Sequence, residues 1–141
     1  MTTVIAASVD LDLTVEQAWA AVTDWRAQSQ WMPFTAVDVA GRTQQGLGTR
    51  LRAVTGIGRL AVVDEMEIDR WEPPHRCDVR HDGRVVRGRG VFLVEPLTAA
   101  RSRVTWEEHL DGTLARVGAT VGRRMLSVAL RRFARTLPTP R

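Results

Sequence analysis

At 141 residues, 44% of them hydrophobic, the chain is one domain's length and long enough to bury a core without disulfide or metal staples. Its 20 basic residues are all arginine and are interleaved with 16 acids; the resulting net charge of +4 weighs against a nucleic-acid-binding surface. One cysteine, Cys77, leaves no internal disulfide, and no apolar run approaches the roughly 20 residues of a membrane-spanning helix, so a cytoplasmic chain without stable membrane insertion is expected.

The first segment, TTVIAASVDLD, alternates as a strand; it lacks a basic lead and is interrupted by Asp10 and Asp12, unlike a secretory leader. Thr14 then opens TVEQAWAAVTDW as a helix N-cap. Gln17 stands at the third helical position, where its side chain can complete a capping box with Thr14, and Glu16 suits the positive end of the helix dipole. Ala18, Ala21, Val22 and Trp25 line one face of this helix. Pro33 limits a second short helix over Ser29 to Met32.

From Phe34 to Gly112 the hydrophobic period falls to two. Breaks at Gly41, Gly46 to Gly48, Gly56 to Gly58, Pro73 and Pro74, Asp82 and Gly83, and Thr98 to Arg101 leave room for six strands. Leu60, Val62, Met66 and Ile68 share a face, as do Cys77 with Val79, Phe92 with Val94, and Val104 with Trp106 and Leu110. Short turns between consecutive strands imply an antiparallel meander.

Residues 113 to 137 read as one long amphipathic helix. Gly118, Gly122 and Ala129 fall at nearly one angle, between Val121, Met125 and Val128 on one side and Leu126, Leu130 and Phe133 on the other. Arg116, Arg123, Arg124, Ser127 and Arg131 take the opposite face. Interior glycines cost about 1 kcal/mol each against alanine, so close backbone approach or space for a guest is expected there. The tail beyond this helix is expected to fray.

The order is thus strand, two short helices, six strands and a long helix, an α+β arrangement over residues 1–141. A curved seven-stranded antiparallel sheet with one apolar face needs a cover, and only the last helix is long enough to supply it.

Four strings in this order, TVEQAWAAVTDWRAQSQWMP, EMEIDRWEPPHRCDVRHDG, GRGVFLVEPL with RVTWEEHL, and the closing helix, cover nearly the whole chain. The chain resembles the helix-grip superfamily of START lipid-transfer domains, pollen-allergen-like proteins and bacterial polyketide cyclase/dehydrase proteins (SRPBCC). The resemblance implies a curved seven-stranded sheet wrapped around the long C-terminal helix, with an elongated cavity between them for a hydrophobic small molecule such as a lipid, sterol or polyketide. Members divide among carriers, sensors and enzymes, so membership does not decide activity. In such a cavity the ligand-binding candidates are Trp31, Met66, His81, Phe92, Trp106 and Glu108, with Gly118, Val121, Gly122 and Met125 from the helix.

Three polar residues break the inward face. Asp64 is in phase with Val62 and Met66, His81 with Cys77 and Val79, and Glu108 with Trp106 and Leu110. Antiparallel pairing puts His81 opposite or close to Met66 and diagonal to Asp64, with Glu108 two strands away near Gly90 and Phe92. These three are the catalytic candidates. Each has a structural alternative: Asp64 paired with Arg50, Arg52 or Arg80, Glu108 with Arg87 or Arg89, and His81 solvated or bonded to backbone. Gly88 and Gly90 read as bulges slightly better than as space for a ligand. Among the tryptophans, Trp19 and Trp25 read as helix core, Trp71 as a strand end, Trp31 as a residue near the cavity mouth and Trp106 as a cavity wall.

No metal site is expected from His75, Cys77, Asp78 and His81. Along a strand Cys77 and His81 are about 13 Å apart, too far to converge on one zinc. GLGTR and GIGRL lead into strands rather than helices, so no phosphate-binding loop and no cofactor are expected. The leading reading is a module that binds a small hydrophobic ligand. A polyketide cyclase or dehydratase using His81 with Asp64 or Glu108 is the alternative, narrowed by the complete absence of tyrosine. The arginines of the last helix leave peripheral contact with an acidic membrane open as a third reading.

Overall fold

The computed structural model describes residues 2–138. The chain begins with β1 (Thr2–Leu11), followed by α1 (Val15–Val22) and α2 (Gln28–Trp31). Six strands come next: β2 (Thr35–Ala40), β3 (Arg50–Thr55), β4 (Val62–Glu72), β5 (Arg76–His81), β6 (Gly88–Thr98) and β7 (Arg101–Asp111). The chain then closes with α3 (Thr113–Val117) and α4 (Ala119–Thr136). The fraying expected of the tail falls mainly on residues 139–141, outside those described.

The seven strands form one antiparallel sheet in the order β1-β7-β6-β5-β4-β3-β2. Every turn from β2 to β7 joins neighbours, and only β1 crosses over to pair with β7. That crossover carries α1 and α2. The capping box is in place: Gln17 N–H donates to Thr14 Oγ1 at 3.2 Å, and Thr14 N–H donates to Gln17 Oε1 at 3.0 Å. Two donors that the first turn would leave unpaired are thereby satisfied, which fixes where the chain leaves β1 and starts α1.

The core lies between the inner sheet face and the helices. Val22, Trp31, Ile68, Val104, Leu130 and Phe133 are among its fully buried side chains. Trp31 packs edge-on to Trp106 at 6.0 Å and tilted against Phe133 at 5.1 Å, tying α2 to both β7 and α4.

Two readings of the sequence need correction. Leu60 does not share the inward face of β4; it sits in a single 3₁₀ turn, Gly58–Leu60, and is 86% exposed. The closing helix is also not continuous, because Gly118 stands between α3 and α4 as the N-cap of the second. The glycine that looked like part of a small-residue stripe is the residue at which the helix restarts. α4 spans about 27 Å at 1.5 Å per residue. It buries Leu126, Ala129, Leu130 and Phe133 from its middle onward, whereas Val121 nearer its start is 64% exposed. The sheet therefore buries α4 most fully from Leu126 onward.

Candidate functional site

Between α4 and the strands lies a cavity of about 190 Å³. Its walls come from β3 (Leu51, Ala53), β4 (Met66), β5 (Val79), β6 (Phe92) and β7 (Trp106), with Leu126 and Ala129 closing it from the helix. Met125 both lines the cavity and is 47% exposed, so it stands where the cavity meets solvent. Trp25, Gln28, Pro33, Thr35 and Thr55 complete much of the rest. The hydroxyls of Thr35 and Thr55 bond each other at 3.0 Å, and Gln28 donates its Nε2–H to the Val22 carbonyl at 3.2 Å.

Asp64, His81 and Glu108 come together in the wall of this chamber. Register explains the first contact: Met66 pairs with His81 across β4 and β5, which sets Asp64 one inward position away on the same face. His81 Nδ1–H donates to Asp64 Oδ2 at 2.9 Å, with Oδ1 at 3.1 Å. On its other side, His81 Nε2–H donates to Glu108 Oε2 at 2.9 Å. The remaining oxygen of Glu108 accepts the Trp106 indole N–H at 2.7 Å.

The contact between His81 and Glu108 has to pass over β6, because their strands are not adjacent. Gly90 makes this possible. It pairs with both Val79 and Glu108, and a Cβ built there would lie 2.9 Å from Val79 Cγ2 and 3.1 Å from Glu108 Oε1. The preference for bulges at Gly88 and Gly90 is thus overturned. The register of β6 runs unbroken through both, and the irregularities fall at Ile68/Arg70 and Pro96/Thr98 instead. Gly88 has φ +128°, and a Cβ there would collide with the His109 carbonyl oxygen, so close backbone approach is its role.

The side chain of His81 is 5% exposed. Burial opposes its charge, but hydrogen bonds to Asp64 and Glu108, and attraction to both carboxylates, outweigh that cost and push its pKa up to about 10. At neutral pH it is an imidazolium with both N–H groups committed, a poor proton acceptor. The arginine pairings considered for these acids do not form. Arg50 pairs with Glu67, Arg80 with Asp82 and Glu67, and Arg89 with Asp69 and Asp78.

Of the ligand-binding candidates, Met66, His81, Phe92, Trp106, Glu108 and Met125 line the cavity. Trp31, Gly118, Val121 and Gly122 do not. Trp31 has no exposure and lies among core side chains, because α2 packs it against Phe133 rather than leaving it near a mouth. Gly118 and Val121 are exposed at the start of α4. Gly122 faces β1, where a Cβ would lie 2.7 Å from Ile5 Cδ1, so it serves close packing. Leu51, Ala53, Val79 and Leu126 line the cavity without having been singled out for it; the alternation of Leu51 and Ala53 along β3 was the signal for two of them. His75 and Cys77 do not converge with His81: His75 Nδ1 lies 3.3 Å from the Val94 carbonyl oxygen, and Cys77 is buried in the core.

The family described as polyketide cyclase / dehydrase and lipid transport matches residues 2–138. The chain belongs to this family. A comparison with curated proteins found no match. Among solved structures the chain is similar to a START superfamily protein from Mycobacterium smegmatis, at 16% identity and TM-score 0.77, covering 96% of this chain and 99% of that one. It is similar to the Zhui aromatase/cyclase from Streptomyces sp. R1128, at 15% identity and TM-score 0.67, covering 95% and 87%. A third is the di-domain aromatase/cyclase BexL, at 18% identity and TM-score 0.72, with 96% of this chain and 48% of that one covered. These likenesses establish the helix-grip fold. Family and fold together suggest ligand binding or polyketide cyclase-type activity.

Proposed function

We propose that this polyketide cyclase/dehydrase and lipid transport family protein binds a hydrophobic or amphipathic small molecule, lipid-like or polyketide-like, between its sheet and α4. The observation that carries this reading is a chamber walled by apolar side chains whose charged groups are confined to one cluster, Asp64, His81 and Glu108. Apolar burial supplies the affinity and the cluster supplies orientation. An eight-carbon tail removed from water offers about 6 kcal/mol, at about 0.8 kcal/mol per methylene, before the costs of ordering are subtracted.

Titration with the neutral dye Nile red tests the reading. Wild type is expected to saturate with a blue-shifted emission. Ala53→Phe, which places a ring in the chamber opposite Asp64, is expected to abolish the change while circular dichroism shows the fold retained. Failure of wild type to bind, or undiminished binding by Ala53→Phe, contradicts the reading.

Cyclase-type catalysis is the second reading, supported by the family's description. In that case Asp64 is the better placed base, since His81 holds its proton with both nitrogens occupied. Turnover of a polyketide-like substrate that is lost in Asp64→Asn supports catalysis; equal turnover by both proteins removes Asp64 from it.

A further inference from the structure

The charge of the cavity's polar cluster does not balance, and the imbalance bears on the head group of what enters. Asp64 and Glu108 are two carboxylates, and the imidazolium between them cancels one charge. Glu108 is satisfied at both oxygens, by Trp106 and by His81. Asp64 is not. Its two oxygens share the single Nδ1–H of His81, and no other side-chain donor among the described residues bonds to it. A carboxylate offers about four acceptor positions, so Asp64 retains acceptor capacity where it lines the cavity.

The rest of the molecule does not supply the missing positive charge. The chain is rich in arginine, with 20 in its sequence, yet none of those among the described residues lines the cavity. On the strands beside the cluster, Arg50, Arg80 and Arg89 are held by acids of their own. A net negative charge in an apolar chamber is costly to leave unpaired. A carboxylate or phosphate head group would increase that cost; a cationic donor would remove it.

We propose that the ligand is a cationic amphiphile, an alkyl or arylalkyl amine in its protonated form, with the ammonium on Asp64 and the apolar body along Met66, Phe92, Trp106 and Met125. This rests on the reading of the cavity as a ligand site. It adds the head-group chemistry, which that reading leaves open.

Three probes of one chain length separate the two claims: octylamine, octanol and octanoate, titrated calorimetrically at pH 7. Octylamine is expected to bind at least about tenfold more tightly than octanoate, with octanol between them, as suits a hydrogen bond to a charged group. Asp64→Asn is expected to erase most of that preference, read as the ratio of octylamine to octanoate affinity within the same variant. Ala53→Phe is expected to lose octylamine binding.

Equal or tighter binding of octanoate in wild type overturns the proposal and leaves the ligand site standing, and this comparison needs no variant to fold. An amine preference that survives Asp64→Asn in a folded protein overturns the assignment to Asp64. Octylamine binding that persists in Ala53→Phe is surface binding and overturns it as well. Failure of all three probes and of Nile red overturns both the proposal and the ligand site.

Discussion

His81 keeps its proton because two carboxylates from two other strands bracket it, and this makes its contribution to stability depend on pH. Its folded pKa, about 10, lies above the ordinary 6.5. The contribution is therefore complete below pH 6.5 and is lost as pH rises towards 10, because the unfolded chain releases the proton first. The melting temperature of wild type is expected to fall between pH 6.5 and 9 more steeply than that of His81→Gln; parallel curves would contradict this. Cys77, whose thiol is pushed up from 9.0 to about 12, chiefly by burial and secondarily by Asp78 and Asp69, begins to cost stability only as pH reaches 9, and it does so in both proteins alike. Gly90 is the residue on which the His81–Glu108 contact depends. Gly90→Ala is expected to cost about 1–3 kcal/mol in urea denaturation, because the new methyl crowds Val79 and Glu108; an unchanged midpoint would contradict that role. At this scale the contact between Asp64 and His81 was legible, since pairing across a turn sets register. The contact between His81 and Glu108 was not. Sequence alternation shows that both point inward, but only the missing Cβ on the intervening strand shows that they can meet.

Among the elements, α1 is set by its cap and α4 by its glycines. Thr14→Ala removes the hydroxyl that accepts from the Gln17 N–H, leaving only the half of the capping box donated by the residue-14 backbone, and is expected to cost about 1 kcal/mol in chemical denaturation. Gly122 pits helix propensity against packing. Alanine there recovers up to about 1 kcal/mol of propensity and needs only the far end of Ile5 to move, so Gly122→Ala is expected to be close to neutral. Leucine must displace β1, and Gly122→Leu is expected to destabilise by about 1–3 kcal/mol while leaving Nile red affinity intact in the folded protein, because Gly122 does not line the cavity. Loss of dye binding with full stability would instead put Gly122 in the cavity wall. Periodicity made the closing helix and its buried stripe legible. It could not show the restart at Gly118, because a glycine reads alike as helix interior and as helix boundary. Trp31 was misplaced for a related reason: the sequence shows that Pro33 ends α2, but not that α4 packs across it.

For the molecule as a whole, the meander was readable because its glycine and proline breaks fall at the turns, so that strand count and order followed from punctuation. Cavity shape was less accessible. It depends on where the inner sheet face and α4 fail to meet, a property of packed surfaces rather than of any segment. The arrangement that results keeps every arginine among the described residues out of a chamber whose charged groups are Asp64, His81 and Glu108. That division of charge between outside and inside supports a ligand-binding function. Indole N–H resonances of the five tryptophans offer the most direct test. Trp25 and Trp106 line the cavity, whereas Trp19 and Trp71 do not. On titration with octanol, the Trp25 and Trp106 signals are expected to shift furthest and to saturate together; signals that stay unmoved, or shifts confined to Trp19 and Trp71, would contradict a ligand site between the sheet and α4.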